Sequence, residues 1–289
     1  MMKIGIIGCD SSHSLSFTKV INSGRFKQTA VTAFAPVFSE DIPLSAKRKD
    51  RIQTLLIQEQ GLAELSLEKL CEECDAFLLL ALDPYKRLSF FSELSKWGKP
   101  VFIDKPLSIT LAESKEIADI SIKTGTPFMS ASALRFESGF QRWANTMEHP
   151  PLSLTVKGPL LFEKTFPGYS WYGIHLTEMI MAVMGGMPDD VHAELKPGVE
   201  IISMHFQNGT KAVLQGDLAG EQPFSAEATL RDGSSIIWKN LEPGTLFEGI
   251  ANASVHFFMM GKSSVTQREM LQSIELVERI NHKRKALNK

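Results

Sequence analysis

Trp97-Gly98-Lys99-Pro100-Val101-Phe102-Ile103-Asp104-Lys105-Pro106 is the stretch whose reading decides the fold. Gly98 stops a helix, and Val101 to Ile103 is a short apolar run of strand type. Lys105 then falls at the carboxyl end of that strand, where the chain turns out of an α/β sheet. Ligands in such sheets bind at the carboxyl ends of the strands. Pro106 fixes the turn, so the Lys105 ammonium is held in one direction, where it can polarise an oxygen or hold an anion.

The amino terminus fits the same frame. Lys3-Ile4-Gly5-Ile6-Ile7-Gly8-Cys9-Asp10-Ser11-Ser12-His13 opens on a buried strand, turns at Gly8, and offers Asp10, Ser11 or Ser12 as the cap of a helix. Strand, glycine turn and helix at the start of a chain are how a dinucleotide-binding unit begins.

Working outward, strands and helices alternate through residue 130. Strand-type runs at Gln28 to Ala35, Ala76 to Leu82, Val101 to Ile103 and Pro127 to Ser132 are separated by helical spacing at Ala46 to Gln60, Leu65 to Cys74, Pro84 to Trp97 and Leu111 to Lys123. That alternation predicts βαβ units and a parallel sheet. After about residue 150 the pattern changes. Asn208-Gly209 and Asp232-Gly233 each join two strand-type runs, Val199 to Gln207 with Lys211 to Leu218 and Ala226 to Arg231 with Ser235 to Trp238. These are hairpin signals, and they predict an antiparallel sheet. Pro243 to Met260 and Val265 to Leu287 read as helices, the last with a Lys-Arg-Lys stretch that suits a solvated helix carboxyl terminus. The expected fold class is α/β: an N-terminal Rossmann domain with a doubly wound parallel sheet over residues 1–130, and a C-terminal α+β domain of mostly antiparallel sheet over 131–289.

Composition excludes several classes. The 289 residues are 43% hydrophobic and 22% charged, the balance of a globular protein, and the net charge of −2 supplies no field to draw nucleic acid. No apolar run is long enough to span a membrane, and no signal-peptide pattern follows the first strand. Three cysteines, Cys9, Cys71 and Cys74, fit a reducing compartment, so a cytoplasmic location is expected. Cys71-Glu72-Glu73-Cys74 is a single pair at a helix end, so no metal site is expected.

A second constellation is Trp171-Tyr172-Gly173-Ile174-His175-Leu176-Thr177-Glu178, opening an apolar helix closed by Gly185-Gly186. His175 is on its first turn, and histidine titrates near neutrality, so it can accept a hydroxyl proton.

These residues resemble the glucose-fructose oxidoreductase / inositol dehydrogenase family (Gfo/Idh/MocA). Three landmarks match in order: the first strand with Gly8, the block from Gly98 to Pro106 with Asp104-Lys105-Pro106, and Gly173-x-His175-x-x-Glu178. The resemblance implies an NAD- or NADP-dependent oxidoreductase acting on a sugar, polyol or related hydroxy compound. Lys105 and His175 would be catalytic, His175 taking the substrate hydroxyl proton and Lys105 bonding the same oxygen or the nicotinamide ribose. The strand-end residues Gly8, Asp10, Ser11, Ser12, His13, Asp83, Pro84, Asp104 and Lys105 would form the cofactor side. Arg135, Glu163, Trp171 and Glu178 are the substrate-side candidates. A homodimer or homotetramer built on the second domain is expected.

The chain departs from the family at three places. Its phosphate loop is degenerate, Gly8-x-Asp10-x-x-His13 in place of three glycines. Asp10 is then either a helix cap or a charge close to the pyrophosphate. In the second case Asp10→Gly would tighten binding by on the order of 1 kcal/mol, and His13, when protonated, would offset the charge. Second, Phe34-Ala35-Pro36 carries no acid for the adenosine ribose. Ser39, Lys47 and Arg48 follow, either surface or acceptors of a 2′-phosphate, which leads us to expect NADPH to bind at least as well as NADH. Third, Trp171 stands where the family has an acid four residues before the histidine, with Glu163 or Glu178 as substitutes. The alternative function is a non-catalytic relative that kept the fold as a ligand sensor or partner-binding protein.

Overall fold

The computed structural model describes residues 1–240 and 246–285. The chain forms two compact units: Met1–Ala131 with Phe247–Gln267, and Ser132–Leu246 with Arg268–Lys289.

In the first unit β1 (Met2–Ile7), α1 (Ser12–Ile21), β2 (Thr29–Ala35), α2 (Pro43–Gln58), β3 (Ala63–Glu64), α3 (Leu67–Glu73), β4 (Ala76–Leu79), α4 (Arg87–Ser95), β5 (Val101–Asp104), α5 (Leu111–Thr124) and β6 (Phe128–Ala131) alternate. The strands form one parallel sheet in the order β3-β2-β1-β4-β5-β6. This is the doubly wound order of dinucleotide-binding folds, with its switch point between β1 and β4. All residues of β4, β5 and β6 are buried, as expected for strands covered on both faces. The helices begin where the sequence offers caps: Ser11, Ser66 and Thr110 accept from His13, Lys69 and Glu113 amides, and α5 stops at left-handed Gly125.

Two of the boundaries that differ from the sequence reading bear on the strand ends. The strand expected over Ala76 to Leu82 ends at Leu79, because the amides of Leu80 and Ala81 both turn to the carbonyl of Ile7, at 2.9 and 2.8 Å. The helix expected from Pro84 opens with a tight 3₁₀ turn, Pro84–Lys86, since Asp83 caps that turn through the Tyr85 amide.

The second unit begins with a 3₁₀ turn, Ala133–Phe136, then α6 (Ser138–Ala144), β7 (Ser153–Pro159), α7 (Gly173–Met184), β8 (Asp190–Lys196), β9 (Val199–His205), β10 (Lys211–Asp217), β11 (Ser225–Thr229) and β12 (Ser235–Lys239). Its sheet runs β12-β11-β7-β10-β9-β8, antiparallel at every pair except parallel β7–β10. Both expected hairpins are present. The strands alternate: Leu154 and Val156 of β7 and Ala212 and Leu214 of β10 are buried on the face that α7 covers. Strands β7 and β8 and helix α6 were not anticipated. β7 ends in Gly158-Pro159, poor strand formers, while β8 is a polar edge strand with a single fully buried side chain, Val191.

Helix α8 (Leu246–Met260) follows, and from Phe247 onward it belongs to the first unit, where Phe247 packs edge-on against Phe17 of α1. Helix α9 (Gln267–Arg284) belongs to the second unit from Arg268. Pro243 to Thr245, expected as the start of one helix, and Ala286 and Leu287, expected as the end of the other, lie outside the described residues. Arg284 is not a solvated cap. It donates to Glu200 Oε1 at 2.5 Å and lies 4.3 Å over the Phe162 ring, because Glu200 is a buried acid that needs a cation. No helix among the described residues is long and apolar enough to cross a membrane.

Candidate functional site

In the first unit the candidates gather past the carboxyl ends of β1, β4 and β5. Gly8 has φ +128°, and a Cβ there would lie 2.4 Å from the Ala81 amide nitrogen and 2.5 Å from its Cα. The glycine is therefore demanded by the close approach of the β1 and β4 exits. Asp10 is fully buried and does not cap α1; Ser11 does, its Oγ accepting from the His13 amide at 3.2 Å. The Asp10 carboxylate points elsewhere. It accepts from the Leu82 amide at 3.0 Å and from Ser45 Oγ at 2.6 Å, and Ser45 Oγ itself accepts from the Ser39 amide at 2.8 Å. Asp10 thus ties together the exits of β1 and β4 and the start of α2. Burial raises its pKa, against the pull of the Ser45 and Leu82 hydrogen bonds and of the Arg87 charge. Both readings offered by the sequence, a cap or a charge facing phosphate, give way to a buried clasp.

His13 Nδ1 lies 2.7 Å from Asp104 Oδ2, and its ring meets Phe247 edge-on at 4.9 Å. Burial would raise the Asp104 pKa, but the charge and hydrogen bond of His13, with Lys105 and Arg87 beyond, bring it down to about 2. Lys105 itself is 8% exposed and precedes a cis peptide bond to Pro106. Asp83 caps its turn, accepting from the Tyr85 amide at 2.9 Å; Pro84 is buried behind it, and Ser12 is exposed. Of the 2′-phosphate candidates, Ser39 is fully buried and accepts from Lys86 Nζ at 3.2 Å, while Lys47 faces solvent.

Sequence reasoning missed Arg87. It is 1% exposed at the start of α4 and donates from Nη1 to the Leu79 carbonyl at 3.1 Å, while its buried Nε has no partner. Burial lowers its pKa, and the carboxylates of Asp104, Asp10 and Asp83 oppose that. A signal existed: three acids at three strand ends of one sheet need a cation among them.

In the second unit His175 and Glu178, three apart on one face of α7, meet the same residue. Ser132, fully buried just past β6, places its Oγ 2.6 Å from His175 Nδ1, and its amide donates to Glu178 Oε2 at 2.8 Å. Tyr172 and Phe224 flank the imidazole at 5.9 and 6.0 Å. Gly173 is required because a Cβ would come within 2.3 Å of the Tyr169 ring. Trp171 packs against Phe166, ring centroids 4.7 Å apart and tilted by 36°. Glu163 is half-buried, its carbonyl accepting from the Phe166 amide. Arg135 is ion-paired with Glu269 of α9, leaving its buried Nη1 without a partner. Asn281 of α9, also missed, holds the loop before α7 by accepting from the Tyr169 amide at 2.9 Å and donating to the Pro167 carbonyl at 3.1 Å. Only the fold reveals Ser132 and Asn281, since neither belongs to a local motif.

Elsewhere, Cys71 and Cys74 are free and buried, and Lys99 caps α3 by donating to both their carbonyls, at 2.6 and 2.7 Å. Burial pushes the Cys71 thiol up to about 11. Among the described residues no three His, Cys, Asp or Glu side chains are grouped to hold a metal ion.

No protein-family profile matches the sequence, and comparison with curated proteins finds no match. The fold, by contrast, is shared with solved dehydrogenases along nearly the whole chain. A probable dehydrogenase from Thermotoga maritima superposes with a TM-score of 0.82 at 15% identity, covering 98% of this chain and 96% of that one. The scyllo-inositol dehydrogenase of Lactobacillus casei, solved with bound NAD(H) and scyllo-inositol, gives 0.78 at 12% identity over 98% and 96%. A UDP-N-acetylglucosamine 3-dehydrogenase from Acidithiobacillus ferrooxidans gives 0.77 at 13% identity over 98% and 97%.

Proposed function

We propose that this protein is an NAD(P)-dependent oxidoreductase acting on a CH–OH group of a sugar, polyol or related hydroxy compound. The observation that carries the reading is a lysine, Lys105, at the carboxyl end of β5 beside the β1/β4 switch point of a doubly wound sheet. The strand-end residues fit a dinucleotide: the Gly8 turn brings two backbones into contact, the Asp10 charge is satisfied internally rather than aimed outward, and Arg87 and Lys105 balance the acids.

A bound nicotinamide supplies hydride transfer at the substrate carbon. Lys105 holds the reacting oxygen and stabilises negative charge on it. His175 takes the hydroxyl proton on oxidation and returns it on reduction. The structural neighbours crystallised with NAD(H) support the cofactor class. The lack of an acid after Ala35 supports NADPH binding at least as well as NADH. Three free, buried thiols suit a reducing, cytoplasmic setting. We further propose residues 1–130 as the cofactor domain, and a homodimer or homotetramer through the second-unit sheet, which light scattering showing a monomer at micromolar concentration would overturn.

Calorimetric titration with NADH and NADPH tests the function. Binding of either is expected. Silence of both at millimolar concentration would favour the second reading, a non-catalytic ligand sensor, for which the loss of the acid at Trp171 speaks.

A further inference from the structure

We propose that Ser132 is the positioning residue for His175, anchoring the ring at Nδ1 so that it exchanges protons through Nε2. The inference rests on the proton-transfer role given to His175 above.

Three observations carry it. Ser132 is fully buried and is gripped twice by α7, its amide by Glu178 and its hydroxyl by His175, at 2.8 and 2.6 Å. Two attachments to one helix face fix the position of the hydroxyl, and the hydroxyl fixes the rotation of the imidazole. Second, the residue four before His175 is Trp171, whose indole packs on Phe166, so that position brings no carboxylate to orient the ring. Third, Ser132 Oγ also accepts from the Leu134 amide at 3.3 Å, which fills one lone pair and holds the side chain in one rotamer.

The chemistry of a hydroxyl differs from that of an acid in this place. A carboxylate only accepts, and would lock Nδ1 in its protonated form. A serine hydroxyl donates as well as accepts. It can accept from Nδ1–H when His175 serves as base or carries both protons, and donate to bare Nδ1 when Nε2 is protonated and the ring neutral. Ser132 therefore keeps the ring in place in every protonation state the two directions of reaction require. The proton balance is simple: on oxidation the substrate hydroxyl proton passes to Nε2, and on reduction it returns.

The test uses the full-length protein labelled with ¹⁵N-histidine. Long-range ¹H–¹⁵N spectra report the protonation and hydrogen bonding of each ring nitrogen, with the His175 signals assigned by their loss in His175→Gln. In the native protein Nδ1 should appear as a hydrogen-bonded nitrogen. Ser132→Ala should move it away from the hydrogen-bonded position, and Ser132→Thr should restore the native pattern. If Ser132→Ala does not fold, Ser132→Cys carries the same test, because a thiol fills the space but is a weak partner. Once a substrate is in hand, Ser132→Ala should lower kcat by about tenfold or more with KM little changed, part of what a positioned acid or base contributes. A His175 spectrum indifferent to Ser132→Ala and Ser132→Cys would overturn the proposal. A spectrum that responds in a protein that binds no dinucleotide would leave the anchor standing and remove the oxidoreductase reading instead.

Discussion

Replacing Asp10 by glycine restores the residue that a dinucleotide-binding loop ordinarily carries, yet it should weaken this protein. The carboxylate is the acceptor for the Leu82 amide at 3.0 Å and for the Ser45 hydroxyl at 2.6 Å, and both donors are buried. Each buried polar group left without a partner costs about 1–3 kcal/mol. Glycine adds roughly 0.5–1 kcal/mol of chain entropy. Relief of the carboxylate's own burial, which raises its pKa, offsets part of this. The net expectation is a loss of about 2–3 kcal/mol, or a fall in Tm of roughly 5–10 °C for a unit of this size. The β1–α1 turn should loosen at the same time, so NADH or NADPH should bind more weakly, the opposite of the gain the sequence alone led us to expect. Asp10→Asn keeps the oxygen for Leu82 and can donate its amide to Ser45 Oγ, so its cost should stay within about 1 kcal/mol. Its stability should also respond differently to pH. A carboxyl whose folded pKa is raised destabilises the fold as pH climbs past its ordinary value, so the Asn variant should lack that decline. Urea unfolding at several pH values and calorimetric titration of the three proteins check these points. An Asp10→Gly protein as stable as the native one, with tighter dinucleotide binding, would show that the carboxylate opposes phosphate and that the clasp is unimportant.

Gly8→Ala should destabilise by about 3 kcal/mol or more, because the new methyl meets the Ala81 backbone at 2.4 Å and φ is positive; near-native thermal unfolding would contradict the packing described. The Asp104 pKa is lowered to about 2, so its contribution, about 2 kcal/mol, is present above the ordinary carboxyl range and lost as pH falls toward 2. Asp104→Asn should remove that acid-side loss, as measured by unfolding between pH 5 and 2. Under the proposed function, Lys105→Ala and His175→Ala should each abolish turnover with folding intact, and the double variant should be little worse than either, as expected of residues that serve one step. Near-normal rates in both single variants, with circular dichroism unchanged, would make these residues structural.

The alternation of strand and helix, the two hairpins and the Lys105 and His175 landmarks were legible in the sequence, because each is written in a local period or turn signal of a few residues. Val101 to Ile103 is a continuous apolar run bounded by turn residues, and Asn208-Gly209 turns the chain on its own conformational preference. What the sequence could not determine was which side chains meet. Asp10 finds the Leu82 amide 72 residues away, His13 finds Asp104 91 residues away, and Ser132 finds His175 43 residues away. A hydrogen bond requires approach to about 3 Å with proper alignment, and no pattern of hydrophobic residues encodes a distance that fine between points so far apart. The identity of Asp10 therefore suggested a helix cap or a charge beside phosphate, and only the folded arrangement of two strand exits and the start of α2 made it a clasp. Likewise Ser132 is only the last residue of a strand-type run in the sequence, and becomes the partner of a histidine because the 3₁₀ turn that follows it packs against α7.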